Sequence, residues 1–212
     1  MKLTTNLKAL TAAAILAVPA MAPTTASAEL GYNASVASMY LWRGQDVSLG
    51  PAVSGGIDFS DESGLYASTW VSSGRTDDEV VGGGYEHDIW FGFAGEAGDI
   101  SYDVSYWYID YPLTAGDPGD EIALSVGFKQ FSLGIVSGDD GYMYTTLGAE
   151  FGPASVTYGM STNDADEDYT HIDVSYAATD ALSFTVSLPS DDGAGIQEEP
   201  LIMMSYSLPI GK

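Results

Sequence analysis

Large apolar and small or polar residues alternate along most of this chain. In residues 120–129 the two sets are Ile122, Leu124, Val126 and Phe128 against Ala123, Ser125 and Gly127. Residues 181–189 repeat the pattern, with Leu182, Phe184, Val186 and Leu188 against Ser183, Thr185 and Ser187. A repeat of two residues predicts β-strands with one apolar and one polar face.

The alternation divides the chain into about twelve segments of strand length. Their predicted spans are 31–44, 51–60, 63–73, 84–97, 99–111, 120–129, 130–137, 142–151, 153–161, 168–178, 181–189 and 200–210. The lack of long amphipathic helical blocks favours an all-β fold. No run of 18 apolar residues follows the first 28 residues, which argues against a transmembrane helix.

Alternation alone also fits a soluble β-sandwich whose apolar faces turn inward. The predicted connections distinguish the two, because short turns and longer loops alternate strictly along the chain. This order is typical of an up-and-down antiparallel transmembrane β-barrel with short periplasmic turns and longer acidic outer loops. Closure of the barrel lets each backbone group pair within lipid.

A barrel of this kind places its apolar face against outer-membrane lipid and its polar face around a lumen. Aromatic residues near the long-loop ends of strands are expected to form an outer girdle at the membrane surface. They are Tyr40, Trp42, Tyr106, Tyr108 and Tyr111.

The first 28 residues have the features of a bacterial secretory signal peptide. A basic start precedes an apolar stretch, and Ala26-Ser27-Ala28 forms an A-x-A cleavage site. We therefore expect residues 1–28 to be cleaved and residues 29–212 to form one outer-membrane barrel domain of a Gram-negative bacterium. The chain has no cysteine, which excludes a disulfide framework.

The chain is strongly acidic, with 6 Lys+Arg against 30 Asp+Glu. Alternation assigns these charged or titratable residues to the lumen: Arg43, Asp58, Glu86, Asp88, Glu96, Asp103, Glu150, His171 and Asp173. Carboxylates in a pore favour cations and repel anions. The predicted pore-lining and selectivity residues are Arg43, Asp58, Glu86, Asp88, Asp103, Glu150 and Asp173.

Arg43 stands out because it lies in an aromatic, strand-like stretch of an acidic chain, "MYLWRGQD". An arginine that faces lipid at mid-depth would cost roughly 2–4 kcal/mol, so we expect Arg43 to face the lumen. There it should pair with a carboxylate, Asp58 and Asp103 being the candidates. The pair would either tie strands together or form a charged constriction.

Two stretches resemble the TorF-type porin family of proteobacteria. They are "SMYLWRGQDVSLGPAVSGGIDFSDESGLYASTW" and "YEHDIWFGFAGEAGDISYDVSYWYIDYP". They carry that family's Tyr-x-x-Arg-Gly element, its PA-x-x-GG-x-D and SGLYA-x-x-W strands, and its SYDV-x-Y-x-Y-x-x-YP strand, in order. The resemblance covers residues 35–112 and implies an outer-membrane barrel of porin type.

The sequence thus favours a porin-like channel for passive diffusion of small solutes or ions, with a preference for cations. The alternative is a non-conducting structural or receptor barrel with a packed lumen. An enzyme is not expected: His171 shares a face with Asp173, but no serine can be placed beside it, and a solvated histidine is the expected state.

No cofactor or metal is expected, and the basic residues are too few for nucleic acid. The expected partners are lipid, small ions or solutes, and the barrel-assembly machinery. That machinery usually recognises a terminal aromatic residue, for which Ile210 would substitute here.

Overall fold

The computed structural model describes residues 28–48, 50–73, 84–112, 118–165, 167–191 and 196–210. The predicted signal peptide, up to residue 27, and the acidic segment 74–83 lie outside these ranges. Among the described residues, no helix is long and apolar enough to cross a membrane.

The described residues form fourteen strands, and their bounds follow the predicted segments closely except near residue 40. They are β1 Glu29–Ala37, β2 Leu41–Trp42, β3 Gln45–Asp46, β4 Ala52–Ser60, β5 Leu65–Ser73, β6 Tyr85–Ala97, β7 Ile100–Asp110, β8 Gly119–Phe128, β9 Phe131–Ser137, β10 Met143–Phe151, β11 Ala154–Thr162, β12 Tyr169–Ala177, β13 Leu182–Asp191 and β14 Leu201–Ser207.

Twelve of these strands close into one antiparallel barrel, and β2 and β3 form a separate two-stranded hairpin. Each barrel strand pairs with its neighbour in sequence. β1 closes the ring by pairing with β4 along its whole length and with β14 through Ser35, Val36 and Ala37. The predicted all-β, up-and-down barrel of about twelve strands is confirmed.

The two faces of the wall differ as the alternation predicts. On β8, Ile122, Leu124 and Val126 are about half exposed on the outside, whereas Ala123 on the inside is 4% exposed. The same outward apolar side chains recur around the ring, because the side chains of each strand alternate between its faces. Such an apolar exterior suits lipid, and a soluble sandwich would bury it.

Short turns join β4 to β5, β6 to β7, β8 to β9, β10 to β11 and β12 to β13, and longer connections lie at the other end. In the β4–β5 turn, the backbone N–H and hydroxyl of Ser63 both donate to Asp61. These hydrogen bonds lower the pKa of the exposed Asp61 carboxyl. Gly98 and Gly152 adopt positive φ in two-residue turns, which glycine tolerates without steric cost.

The predicted first strand, 31–44, is wrong at its second half. β1 ends at Ala37, and the chain then leaves the wall, with Tyr40, Leu41 and Arg43 each at most 5% exposed. Period-two alternation continues through both parts, since the inserted segment is itself a β-hairpin. The pattern therefore gave no sign of where the wall ends.

Candidate functional site

Residues 40–47 form a β-hairpin inside the barrel, which we call the plug hairpin. β2 and β3 pair through Leu41 with Asp46 and through Trp42 with Gln45. The two residues of its tip, Arg43 and Gly44, have φ of 47° and 82°. Positive φ at both central residues is the requirement of the tight type I′ turn.

Backbone and side-chain hydrogen bonds close the base of the plug hairpin. The Val47 N–H donates to the Tyr40 carbonyl at 2.9 Å, and the Tyr40 N–H donates to the Ser48 hydroxyl at 2.8 Å. That hydroxyl lies 2.7 Å from Asp46 Oδ1, which also accepts the Ser48 N–H. The hairpin is thus stabilised by contacts within itself as well as by contacts with the wall.

Tyr40 fixes one side of the hairpin to the wall. Its hydroxyl donates to Glu86 Oε1 on β6 at 2.6 Å, and its ring packs edge-on against Trp70 of β5. Burial, followed by the charge of Glu86, raises the pKa of Tyr40. On the opposite side, Leu41 packs against Leu201 and Met203 of β14.

Arg43 makes the strongest link between the hairpin and the wall. Its Nη1 and Nη2 donate to the two carboxylate oxygens of Glu121 on β8 at 2.8 and 2.6 Å, and Nη1 also donates to the Tyr142 hydroxyl at 2.6 Å. The guanidinium carbon lies 4.7–5.1 Å from the ring centres of Trp42, Tyr142 and Tyr144. Two parallel charge-assisted bonds are the strong geometry for arginine.

The charge of Arg43 is retained despite its burial. Burial lowers the pKa of the Arg43 guanidinium, but the hydrogen bonds and the charge of Glu121 outweigh it, so the pKa is raised overall. The hairpin thus carries a permanent cation into an acidic lumen.

The tip of the hairpin rests on a buried chain of polar side chains. The Tyr144 hydroxyl lies 2.8 Å from His171 Nε2, and His171 Nδ1 lies 3.0 Å from Asp173 Oδ1. A Cβ on Gly44 or on Gly159 would overlap the His171 ring. Both glycines are therefore needed for the hairpin tip and β11 to approach the imidazole so closely.

At the long-loop end, an open cavity of about 410 Å³ leads down to the plug hairpin. Trp42, Arg43 and Val47 form part of its lining, and Tyr111, Tyr142 and Tyr169 supply aromatic walls. Acidic side chains line it as well: Asp120, Glu121, Asp139 and Glu167. This mouth is therefore aromatic and acidic.

Below the hairpin, towards the short-turn end of the barrel, the lumen is lined mostly by small residues. Ser125, Thr146 and Thr157 point inward on the β8–β11 side and remain partly exposed. The β12–β14 side is tighter, because Ser175 and Thr185 are buried and lie 2.8 Å apart. On the β8–β11 side of this half of the barrel the inward side chains are therefore small and only partly covered, whereas Tyr66 reaches inward from β5 to Asp103.

All the predicted lumen carboxylates lie on the inward face, but at different depths and with different partners. Asp58 accepts from Asn33 and Ser68 at 2.9 and 2.8 Å. Asp103 accepts from the Tyr66 hydroxyl at 2.8 Å. Glu86, Asp88 and Asp173 are buried around the plug hairpin, whereas Glu150 is exposed near the short-turn end.

Several predictions about individual side chains are wrong. Arg43 faces the lumen as predicted, but from the hairpin tip, and it pairs with Glu121 and not with Asp58 or Asp103. His171 is buried and hydrogen-bonded at both ring nitrogens, not solvated.

The aromatic girdle was also assigned incorrectly at three positions. Tyr40 and Trp42 belong to the plug hairpin, and Tyr111 packs on an inward cluster around Trp107. Tyr106 and Tyr108 do lie on the outer face, where Tyr106 donates to Asp120 at 2.6 Å.

Glu121, Tyr142 and Tyr144 are the residues of this site that sequence reasoning missed. Glu121 lies two positions before Ala123 on the same strand, so extending the alternation by one step would have placed it in the lumen. The two tyrosines carry no comparable signal, because their importance depends on the position of the hairpin.

The fold and site together define a closed β-barrel with an apolar exterior, a polar lumen and an internal plug formed by its own chain. Residues 21–193 match the family described as bacterial protein of unknown function (Gcw_chp). The chain belongs to this family. No curated protein matches it.

One solved structure with similarity is a triple mutant of the Rh. blastica porin. It is 15% identical, with a TM-score of 0.46 over 74% of this chain. This chain spans 55% of the length of that porin.

Proposed function

We propose that this protein is an outer-membrane channel of a Gram-negative bacterium for passive diffusion of small solutes or ions, and that the plug hairpin forms its constriction. The observation that carries the proposal is the contrast within the lumen. Small, partly exposed side chains line the barrel below the hairpin, an open cavity lies above it, and residues 40–47 lie between the two. A barrel built only for structural support needs neither an open mouth nor a lumen lined by small polar residues.

A preference for cations belongs to the same proposal. Inward carboxylates outnumber Arg43 among the described lumen residues, and Arg43 is already neutralised by Glu121. Each carboxylate attracts a cation a few ångströms away by about 1 kcal/mol even in water-like surroundings. Membership of the TorF-type porins is likewise proposed, on the strength of the ordered motifs in residues 35–112.

We do not propose an enzymatic role. The Tyr144, His171 and Asp173 chain has the order of a relay. However, Gly44 and Gly159 press against the imidazole, and His171 is 1% exposed. These contacts support a structural role beneath the hairpin.

The selectivity claim is tested by removing carboxylates from the lumen. In the double variant Asp58→Asn and Asp103→Asn, the ratio of cation to anion permeability should fall severalfold, because two fixed negative charges are lost. The measurement is the reversal potential across a planar bilayer with a KCl gradient.

Glu62→Gln with Asp99→Asn is the matched control, since it also removes two negative charges, but from exposed turns. An unchanged ratio in the double variant would reject the selectivity mechanism. A tight seal without current in wild type, with the barrel shown to be inserted, would favour the non-conducting alternative.

A further inference from the structure

The surroundings of Arg43 have the composition of a binding site for a planar cation. Glu121 offers both carboxylate oxygens in one plane, and the Tyr142 hydroxyl accepts a third hydrogen bond. Tyr142 and Tyr144 present their rings within 5.1 Å of the guanidinium carbon. A forked carboxylate contact with aromatic faces distinguishes a guanidinium from a spherical ion such as K⁺.

Most of this site belongs to the barrel wall and not to the hairpin. Glu121 lies on β8, Tyr144 on β10, and Tyr142 directly precedes β10. If the hairpin withdrew, the wall would keep the carboxylate and both tyrosines in place. Only Trp42 would leave together with Arg43.

Arg43, which fills this site, has an unfavourable backbone conformation. Arg43 has φ of 47°, and a non-glycine residue in the left-handed region costs about 1–2 kcal/mol. A free guanidinium compound would make the same contacts without this cost. The cavity at the long-loop end is lined by Arg43, Glu121 and Tyr142, so it leads such a compound to the site.

We propose that Glu121, Tyr142 and Tyr144 form a guanidinium-binding site that Arg43 fills from within, and that small guanidinium-bearing cations compete with Arg43 for it. Competition would release the tip of the plug hairpin and admit the cation to the lumen. The proposal names a solute class for the channel and therefore rests on the proposed function.

The test replaces Arg43 and supplies the missing group from solution. In Arg43→Ala, ethylguanidinium corresponds to the atoms removed beyond Cβ. It should block the unitary current of this variant at a concentration about tenfold lower than in Arg43→Ala/Glu121→Gln, which lacks the carboxylate. Ethylurea, of similar shape and without charge, should not block. Equal block of both variants, or a current in both that ethylguanidinium does not block, would overturn the proposal.

A second measurement distinguishes failure of the proposed binding site from failure of the proposed channel. Ethylguanidinium should raise the thermal unfolding midpoint of Arg43→Ala in detergent micelles and leave that of the double variant unchanged. A midpoint shift without any current in any variant would support the site and reject the channel. Current without either block or shift would reject the site and leave the channel standing.

Arg43→Met guards against failure of the alanine variant to assemble, because methionine keeps an apolar stem between the rings. There the probe is the guanidinium ion itself, at concentrations far below those that denature. If neither variant assembles alone, assembly only when the matching guanidinium probe is present would support the site. Failure to assemble with it would overturn the proposal.

Discussion

Replacing residues 39–48 with a four-residue Gly-Ser linker is expected to raise the unitary conductance of the barrel several-fold. The plug hairpin contacts β6 through Tyr40, β8 through Arg43 and β14 through Leu41, so it crosses the lumen from side to side. Its removal would open the outer cavity towards the half of the lumen that is lined by small residues. Conductance rises with the narrowest cross-section of a pore, and the proposed function assigns that constriction to the hairpin.

The linker variant is designed to spare the wall. Ser38 stays in place, because its backbone N–H donates to the Met204 carbonyl and its hydroxyl accepts from the Met204 N–H, both at 2.9 Å. The control carries the same linker in place of residues 74–83, which join β5 to β6 at the same end of the barrel. If both variants conduct like wild type, the hairpin is not the constriction.

Glu121→Ala is expected to destabilise the barrel by about 3–5 kcal/mol, because it leaves the buried guanidinium of Arg43 without its carboxylate. Arg43 is 5% exposed and cannot reach bulk water unless the hairpin moves. The free energy of unfolding, measured by urea titration in micelles, gives the effect directly. The same variant should also conduct more than wild type, since the hairpin loses its main anchor.

Glu150→Ala is the matched control for this change. Glu150 faces the same lumen but is exposed near the short-turn end, so its removal should alter stability by no more than about 0.5 kcal/mol. Similar losses in the two variants would indicate that the Arg43–Glu121 pair contributes nothing special to the barrel.

The wall of this barrel was predictable from sequence because each strand must satisfy two different environments. Leu124 is apolar because it faces outward, and Ser125 is polar because it faces the lumen. The period-two alternation in the sequence follows directly from this difference. The turns were also predictable, because short connections such as Gly98-Asp99 interrupt the period-two alternation.

The plug hairpin was not predictable in the same way, because its residues alternate just as a wall strand does. Tyr40 and Trp42 continued the apolar series of β1 and were therefore placed on the outside. The Arg43-Gly44 pair at the tip was the available signal for a tight turn, although asparagine or aspartate before glycine marks such turns more strongly.

The hydrogen-bond partners of the functional residues could not be predicted, because they lie far apart in sequence and no local pattern brings them together. Burial cost placed Arg43 in the lumen correctly, but Glu121 lies 78 residues away in sequence. Their meeting depends on the ring order of β8 and on the depth of the hairpin. His171 and Asp173 were placed on one face by spacing alone, whereas the contact of Tyr144 with His171 needed the β10–β11–β12 order.

The position of the plug hairpin is the central claim, and proton NMR in lipid nanodiscs tests it most directly. The close approach of Gly44 to the His171 ring predicts a nuclear Overhauser cross-peak between a Gly44 Hα and His171 Hδ2. It also predicts a ring-current shift of that Hα, which Gly119, with nothing near its Cβ position, should lack. Absence of the cross-peak, while those between β12 and β13 are present, would contradict a hairpin folded into the lumen.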